Sequence, residues 1–450
     1  MTINNNAADK TASRTRDKIE IMAPAGSFES LRAAINAGCN SVYFGIEQLN
    51  MRARAANNFS TEDLKEIVKI CKEAKIKTYL TLNTIMYDHD MNLMKKICDV
   101  AKEHGVTAVI CSDVAAMSYA RSINLEVHIS TQANVSNFET LKFYASFADV
   151  VVLARELTIK QVEYISEKIK EENITGPSGQ LVEIELFVHG ALCVAVSGKC
   201  YMSLATYNSS ANRGACLQNC RRSYKVIDEE TGDELRIDNK YIMSPKDLCT
   251  IGFIDKIIDA GVSVLKIEGR GRSPDYVDTV VSCYNQAIVA YLDGTYTKEK
   301  IDAWIKRLET VFNRGFWHGG YYLGKELGDW SAAYGSKATK EKIYLGRAQN
   351  YFNKVQVAEF HLEANTLSVG DDILITGPTT GALNSKVTEI LVNDQKSDTA
   401  KKGDVVTIPL PEKVRANDKL YKIVDAQRTD GQHNTNSEKS KTQVTEEKNE

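Results

Sequence analysis

A chain of 450 residues with 43% hydrophobic and 26% charged positions has ordinary globular composition and can bury more than one core. It holds no apolar run of about 18 residues, which argues against a transmembrane helix. Its net charge of −3 gives no overall pull toward nucleic acid.

Residues 1–18 are polar, have no apolar leader segment and read as a disordered tail. From Ile19, short β-rich runs alternate with helical patterns. The runs are IEIMAPA, SVYFGI, IKTYLTLN, TAVICSD, LEVHIST, VVVLARE, VEIELFVH and VSVLKIEG. LKEIVKICKEAK, between the second and third, has apolar residues at helical spacing. Strand–helix alternation predicts parallel strands joined by right-handed crossovers. Eight such runs fit a (β/α)8 TIM-like barrel over residues 19–296. No GxGxxG follows the first run, which counts against a dinucleotide-binding sheet.

The seventh unit carries an insertion of about residues 190–250. Within it, SYKVIDEETGDELRI predicts a hairpin turning near Thr231-Gly232. After the barrel closes, residues 297–340 form a helical and aromatic connector, and 341–424 a small C-terminal β-barrel with Gly-Asp and Gly-Pro turns. Residues 425–450 are almost without apolar side chains and read as a second disordered tail.

Chemistry in a β/α barrel sits at the C-terminal ends of its strands. Those ends carry Glu47, Arg52 and Arg54, then Asn83, Asp113, Gln132, Asn134, Arg155, Glu156, His189, Glu268, Arg270 and Arg272. Arginine forks bind carboxylate or phosphate in two-point fashion. We therefore take Glu268, Arg270 and His189 as catalytic candidates, and Arg155, Arg52, Gln132, Asn134 and Arg272 as substrate-binding candidates. The plain alternatives are rim ion pairs for Arg52 and Arg155, and a core histidine for His189. Between Gly198 and Lys225 no acidic residue occurs. Lys199, Arg213, Arg221 and Arg222 alternate there with Tyr201, Tyr207 and Tyr224. That pattern suits a single-stranded RNA loop, and equally the negative charge of a thiolate-bound metal cluster.

The insertion also gathers cysteines: Cys193, Cys200, Cys216 and Cys220, with Cys249 following. Isolated Cys39, Cys71 and Cys98 on predicted helices suit a reducing cytosol, which disfavours disulfides. The C-x6-C-x15-C-x3-C spacing lacks the paired knuckles of a zinc finger. Spacing alone leaves an iron–sulfur cluster, zinc and buried thiols open.

The segment ELFVHGALCVAVSGKCYMS resembles the signature of the collagenase-like peptidase family, the U-thirty-two group. That signature runs Glu-x-Phe-x-x-Gly-[Ser/Ala]-x-Cys, four residues, Gly-x-Cys-x-x-Ser. Glu185, Phe187, Gly190, Ala191, Cys193, Gly198, Cys200 and Ser203 fit it. The resemblance extends through RGACLQNCR, SPKDLC, STQAN, LKIEGRGRSPDYV and FNRGFWHGGYY, over roughly residues 19–425. It implies kinship with iron–sulfur hydroxylation proteins acting on tRNA, ribosomal RNA or ubiquinone precursors. By block, the [4Fe-4S] ligands become Cys193, Cys200, Cys216 and Cys249, with Cys220 spare.

A barrel with one small C-terminal β-domain is most similar to the tRNA hydroxylation protein P subgroup. The resemblance then implies oxygen-independent, prephenate-dependent hydroxylation of the wobble uridine to 5-hydroxyuridine, in the cytoplasm and away from membranes. Arg155, Arg270 and Arg52 would hold the carboxylates of prephenate, a small dicarboxylate metabolite. Lys199, Arg213, Arg221 and Arg222, or the C-terminal barrel, would dock the tRNA anticodon arm, and an electron donor is a further possible partner. The alternatives are a peptidase, for which no GxSxG or HExxH motif is present, and a non-catalytic iron–sulfur redox partner or scaffold.

Overall fold

The computed structural model describes residues 15–53, 58–222, 224, 227–232, 244–324, 330–331 and 335–427. Seven strands follow one another: β1 (Glu20–Pro24), β2 (Ser41–Phe44), β3 (Lys77–Leu82), β4 (Ala108–Cys111), β5 (Glu126–Ile129), β6 (Val150–Val152) and β7 (Glu183–Gly190). Each pairs in parallel with the next. A later strand, β9 (Val264–Ile267), pairs in parallel with both β7 and β1 and closes an eight-stranded barrel. The expected β/α barrel is therefore the observed one.

Between the strands lie α1 (Phe28–Asn36), α2 (Asp63–Glu73), α3 (Met91–His104), α4 (Val114–Ser122), α5 (Phe138–Ala145) and α6 (Ile159–Glu171). Their ends obey local chemistry. Ser27 caps α1 by accepting from the Ser30 amide at 3.2 Å. Thr158 and Gln161 form a capping box on α6. The inner face of each helix supplies core residues; α2 gives Leu64, Ile67, Val68 and Cys71.

Inside the barrel, Met22, Tyr43, Tyr79, Ala108, Ile110, Val150 and Val264 pack together. Charged residues share that interior. Lys266 Nζ lies 2.6 Å from Glu185 Oε1, and Tyr79 donates to Glu20 Oε1 at 2.8 Å. Glu185 therefore points into the barrel, fully buried.

The insertion contributes a short helix, α7 (Met202–Tyr207), and returns as β8 (Asp247–Cys249). This strand was not among the expected runs. It pairs antiparallel with the end of β7, His189 opposite Cys249, and outside the barrel. The proposed hairpin lies largely outside the described residues. Then come α8 (Ile254–Asp259), the long α9 (Pro274–Leu292) and α10 (Lys298–Leu308). The connector forms β10 (Phe316–His318), which extends the same sheet by pairing in parallel with β8. Its buried Trp317 and Tyr322 serve packing, and Tyr322 donates to the Phe187 carbonyl at 2.8 Å.

Residues 340–425 form an antiparallel region around its own core, including Leu345, Phe360, Ile375, Val406, Ile408 and Leu420. Its long first strand, β11 (Lys340–Phe352), pairs with β12 (Val357–Leu362) on one side and with the last strand (Lys419–Asp425) on the other. The region rests along the barrel's flank. Asn36 of α1 donates to the Thr380 carbonyl at 3.2 Å, and Lys342 pairs with Asp275 of α9 at 2.5 Å.

Candidate functional site

The barrel mouth is built from strand ends that point charged groups inward. Glu268, just past β9, receives the Tyr43 hydroxyl at 3.1 Å and pairs closely with Arg52. Burial alone would raise the Glu268 pKa. Arg52, Arg155 and Arg270 overcome it and hold the carboxyl at about 2. Glu268 is thus an anion throughout the physiological range.

Arg270 is 4% exposed. Burial, helped by the like charge of Arg52, lowers it to about 10. It donates to Thr81 Oγ1 at 2.7 Å and to Asn50 Oδ1, so its fork is largely occupied by the protein. Arg155 stacks 3.9 Å from the Phe187 ring centroid and donates to the Ala191 carbonyl at 3.0 Å. Its Nε is buried without an acceptor.

The cysteine insertion folds back over this mouth. Asn212 accepts from the Ile85 amide at 3.2 Å. Asn134, in the left-handed region at φ 53°, donates to the Ser197 carbonyl at 3.0 Å. Beneath this cover lies a cavity of about 200 Å³ lined by Asn83, Ser112, Gln132, Tyr144, Lys199 and Asn212, among others. The Gln132 and Asn134 side-chain oxygens are buried without partners. Both face the junction of barrel loop and insertion.

The thiols divide unequally. Cys220 is raised by burial, and Cys193, Cys216 and Cys200 all act on it electrostatically. These four form one neighbourhood. Cys216 also adds to the field at Arg52, and Cys193 and Cys220 to that at Arg221. Among the described residues, no three histidine, cysteine or carboxylate side chains converge closely enough for a single metal ion. Cys249 stands elsewhere. It is fully buried, its thiol pushed up to about 12 by burial, and its side chain turns to Tyr284 on α9.

His189 is also behind the strand. Its ring lies among Tyr276, Tyr284 and Phe316, and burial lowers it to about 3. The bulge between Phe187 and His189 turns the side chain outward. It is a neutral core ring, which corrects its placement among the catalytic candidates at the mouth.

Arg272 packs 3.5 Å from the Phe312 centroid and feels the Glu268 charge only as one of several influences. Arg213 is clamped to Asp90 at 2.5 and 3.2 Å and to the Ile85 carbonyl at 2.7 Å. Arg221 is held by Ser244, Pro245 and Leu192. Lys199 and Arg222 are the exposed members of the four basic candidates, with Arg222 beside the Tyr207 ring. Arg54 lies outside the described residues. Sequence reasoning missed Tyr43, Asn50 and Thr81. Tyr43 and Thr81 sit at alternate inward strand positions, a signal that was available.

Residues 26–331, more than half of the chain, match the family described as Peptidase family U32. The chain belongs to that family. It is 59% identical over 404 residues to a protein of Porphyromonas gingivalis named collagenase, covering 90% of this chain and 97% of that one. It is 40% identical to an uncharacterized protease of Methanocaldococcus jannaschii, covering 90% and 98%. It is 31% identical over 373 residues to tRNA hydroxylation protein P1 of Bacillus subtilis, covering 80% and 84%. The U32 signature residues occupy β7, the loop that follows it and the start of α7, where the strand delivers the insertion to the mouth. No helix among the described residues of this U32 protein is long and apolar enough to cross a membrane.

Proposed function

We propose that this U32 protein is an iron–sulfur hydroxylase of an RNA pyrimidine. The reading we favour is oxygen-independent hydroxylation of the tRNA wobble uridine at carbon 5, with prephenate as co-substrate. The observation that carries it is the gathering of Cys193, Cys200, Cys216 and Cys220 over the mouth that holds Glu268, its arginines and the polar cavity.

The donor set fits a cluster. Four soft thiols lie close enough for Cys193, Cys200 and Cys216 to act on Cys220, and thiolates are the ligands an iron–sulfur group takes. A single tetrahedral ion requires closer convergence. Arg52 and Arg221 supply nearby positive charge for an anionic cluster. When bound, a [4Fe-4S] group supplies one-electron transfer.

The chain's own residues bind and orient. The unpartnered Arg155 Nε offers a buried donor to a carboxylate such as those of prephenate. The free oxygens of Gln132 and Asn134 offer acceptors for the N–H edge of a pyrimidine. Glu268 stays ionised and, through Tyr43 and Arg52, keeps a fixed hydrogen-bond acceptor at the mouth. Arg270 positions the wall by tying Thr81 to Asn50. Exposed Tyr201 and Tyr207 offer faces for splayed bases beside Arg222 and Lys199.

The peptidase reading is favoured by the names of two of these relatives, the collagenase and the uncharacterized protease. Against it, His189 is neutral and turned away from the mouth, leaving Cys193 without that base. The test has two parts. Anaerobic preparation should yield about four iron and four sulfide per chain, and nucleoside mass spectrometry of tRNA from a deletion strain should lose 5-hydroxyuridine derivatives. Intact modification in that strain, together with peptide cleavage by metal-free protein, would reverse the conclusion.

A further inference from the structure

Beside the mouth, three arginines surround one buried carboxylate. Asp247 opens β8 and is 2% exposed. Arg314, just before β10, reaches its Oδ1 at 3.3 Å. The guanidinium carbons of Arg272 and Arg314 lie 3.5 and 5.1 Å from the centroid of the same Phe312 ring. Arg221 approaches from the insertion, anchored to Ser244 Oγ at 3.1 Å and the Pro245 carbonyl at 3.2 Å. Burial makes both Arg221 and Arg272 less basic, and the neighbouring Arg314 adds to that effect.

Hydrogen-bond accounting identifies what the group lacks. Each guanidinium carries five N–H donors. Among the described residues, the Arg272 guanidinium donates none of them and stacks on Phe312, and Arg314 donates only the 3.3 Å bond to Asp247. Among the described residues, Asp247 is the carboxylate that bonds to this group, and Glu268 adds a weaker field at Arg272. Three guanidiniums thus carry more positive charge than these carboxylates return, which leaves part of it for an outside anion. The rim is basic as well. A Cβ at Gly315 would lie 3.6 Å from Lys337 Nζ and 3.8 Å from Lys246 Cδ.

The three arginines come from separate segments: the end of β9, the start of β10 and the insertion. A planar carboxylate, with two oxygens, cannot meet donors arriving from three directions. A tetrahedral group with three or four oxygens can. We propose that Arg221, Arg272 and Arg314 form a phosphate-binding site beside the barrel mouth. It does not depend on the hydroxylase reading.

The test is titration of the full chain with inorganic phosphate at fixed ionic strength, followed by calorimetry and thermal unfolding. Phosphate should bind and raise the melting temperature beyond chloride of equal ionic strength. Arg272→Gln and Arg314→Gln should each weaken binding at least about tenfold, whereas Lys354→Gln, on the C-terminal region, should not. Should Arg314→Gln fail to fold, Arg272→Gln decides the matter, because the Arg272 guanidinium donates no hydrogen bond to the described residues and its backbone bond to Gly269 survives the change. Competition by a short oligoribonucleotide would assign the site to an RNA backbone phosphate. Phosphate binding that survives the oligonucleotide would assign it to a free phosphate or monoester. Absence of phosphate-specific binding in the wild type, or undiminished binding in folded Arg272→Gln, overturns the proposal.

Discussion

Glu268 shows how one side chain can organise a mouth of arginines. With the carboxylate present, Arg52, Arg155 and Arg270 share a counter-charge; without it they repel one another. Glu268→Gln keeps the shape and removes the charge. It should lower stability at neutral pH by about 2 kcal/mol, discounted because Arg52 is 34% exposed. The pH sign follows from a depressed pKa. Glu268 contributes stability fully above its ordinary value of 4.5, and that contribution is lost as pH falls toward about 2. Urea unfolding of both proteins at pH 7, 5 and 3 should show the difference narrowing toward acid. A constant difference across that range would mean Glu268 is not the anion described. Glu268, Arg270 and Arg52 were legible because each follows a strand run, where barrel chemistry lies. The inward alternation of Tyr43 and Thr81 is visible in sequence, but it does not separate a site residue from a core residue. His189 misled for a related reason: a strand-end position does not reveal a bulge that reverses a side chain.

At the scale of elements, the insertion sets which thiols lie near one another. Cys220 sits in a 3-10 turn, Asn219–Arg221, entered through Gln218 at φ 53°. That turn places Cys220 among the other three thiols. β8, meanwhile, packs Cys249 against α9. The resemblance assigns the fourth ligand to Cys249; the geometry favours Cys220. Anaerobically prepared Cys220→Ser should lose most of its iron, and Cys249→Ser should retain it with reduced stability. Iron lost from Cys249→Ser and kept by Cys220→Ser would restore the resemblance-based set. The junction itself depends on Gly190, at φ 104°, where an added Cβ would run into the Glu268 carbonyl. Gly190→Ala should cost more than about 2 kcal/mol and also disturb the Glu268 cluster. Thermal melts and iron content should therefore fall together.

Across the whole molecule, strand rhythm made the barrel readable, because its period repeats at every unit and each helix buries an apolar stripe. The extra strands β8 and β10 escaped notice because three residues carry no rhythm, and their pairing is set by the barrel edge they meet. Equally invisible was how the C-terminal region docks, since a contact between surfaces has no local pattern. That docking carries a pH dependence opposite in sign to that of Glu268. On α9, burial raises Asp278 to about 6, with Asp275 and Glu412 adding repulsion. Glu412 belongs to the C-terminal region, so the crowding lies between the two bodies. A carboxyl raised in the folded state binds its proton more readily there than in the unfolded chain. Stability therefore falls as pH rises from 3.8 toward 6, and the penalty remains above it. Asp278→Asn should remove the penalty, stabilising the protein by about 1–2 kcal/mol at pH 7.5 with little effect at pH 3.5. Lys342→Ala should act the other way at neutral pH, by freeing Asp275 to repel Asp278. Denaturant melts at the two pH values distinguish these outcomes. Equal stabilisation by Asp278→Asn at both would remove charge from the account of how the two bodies meet.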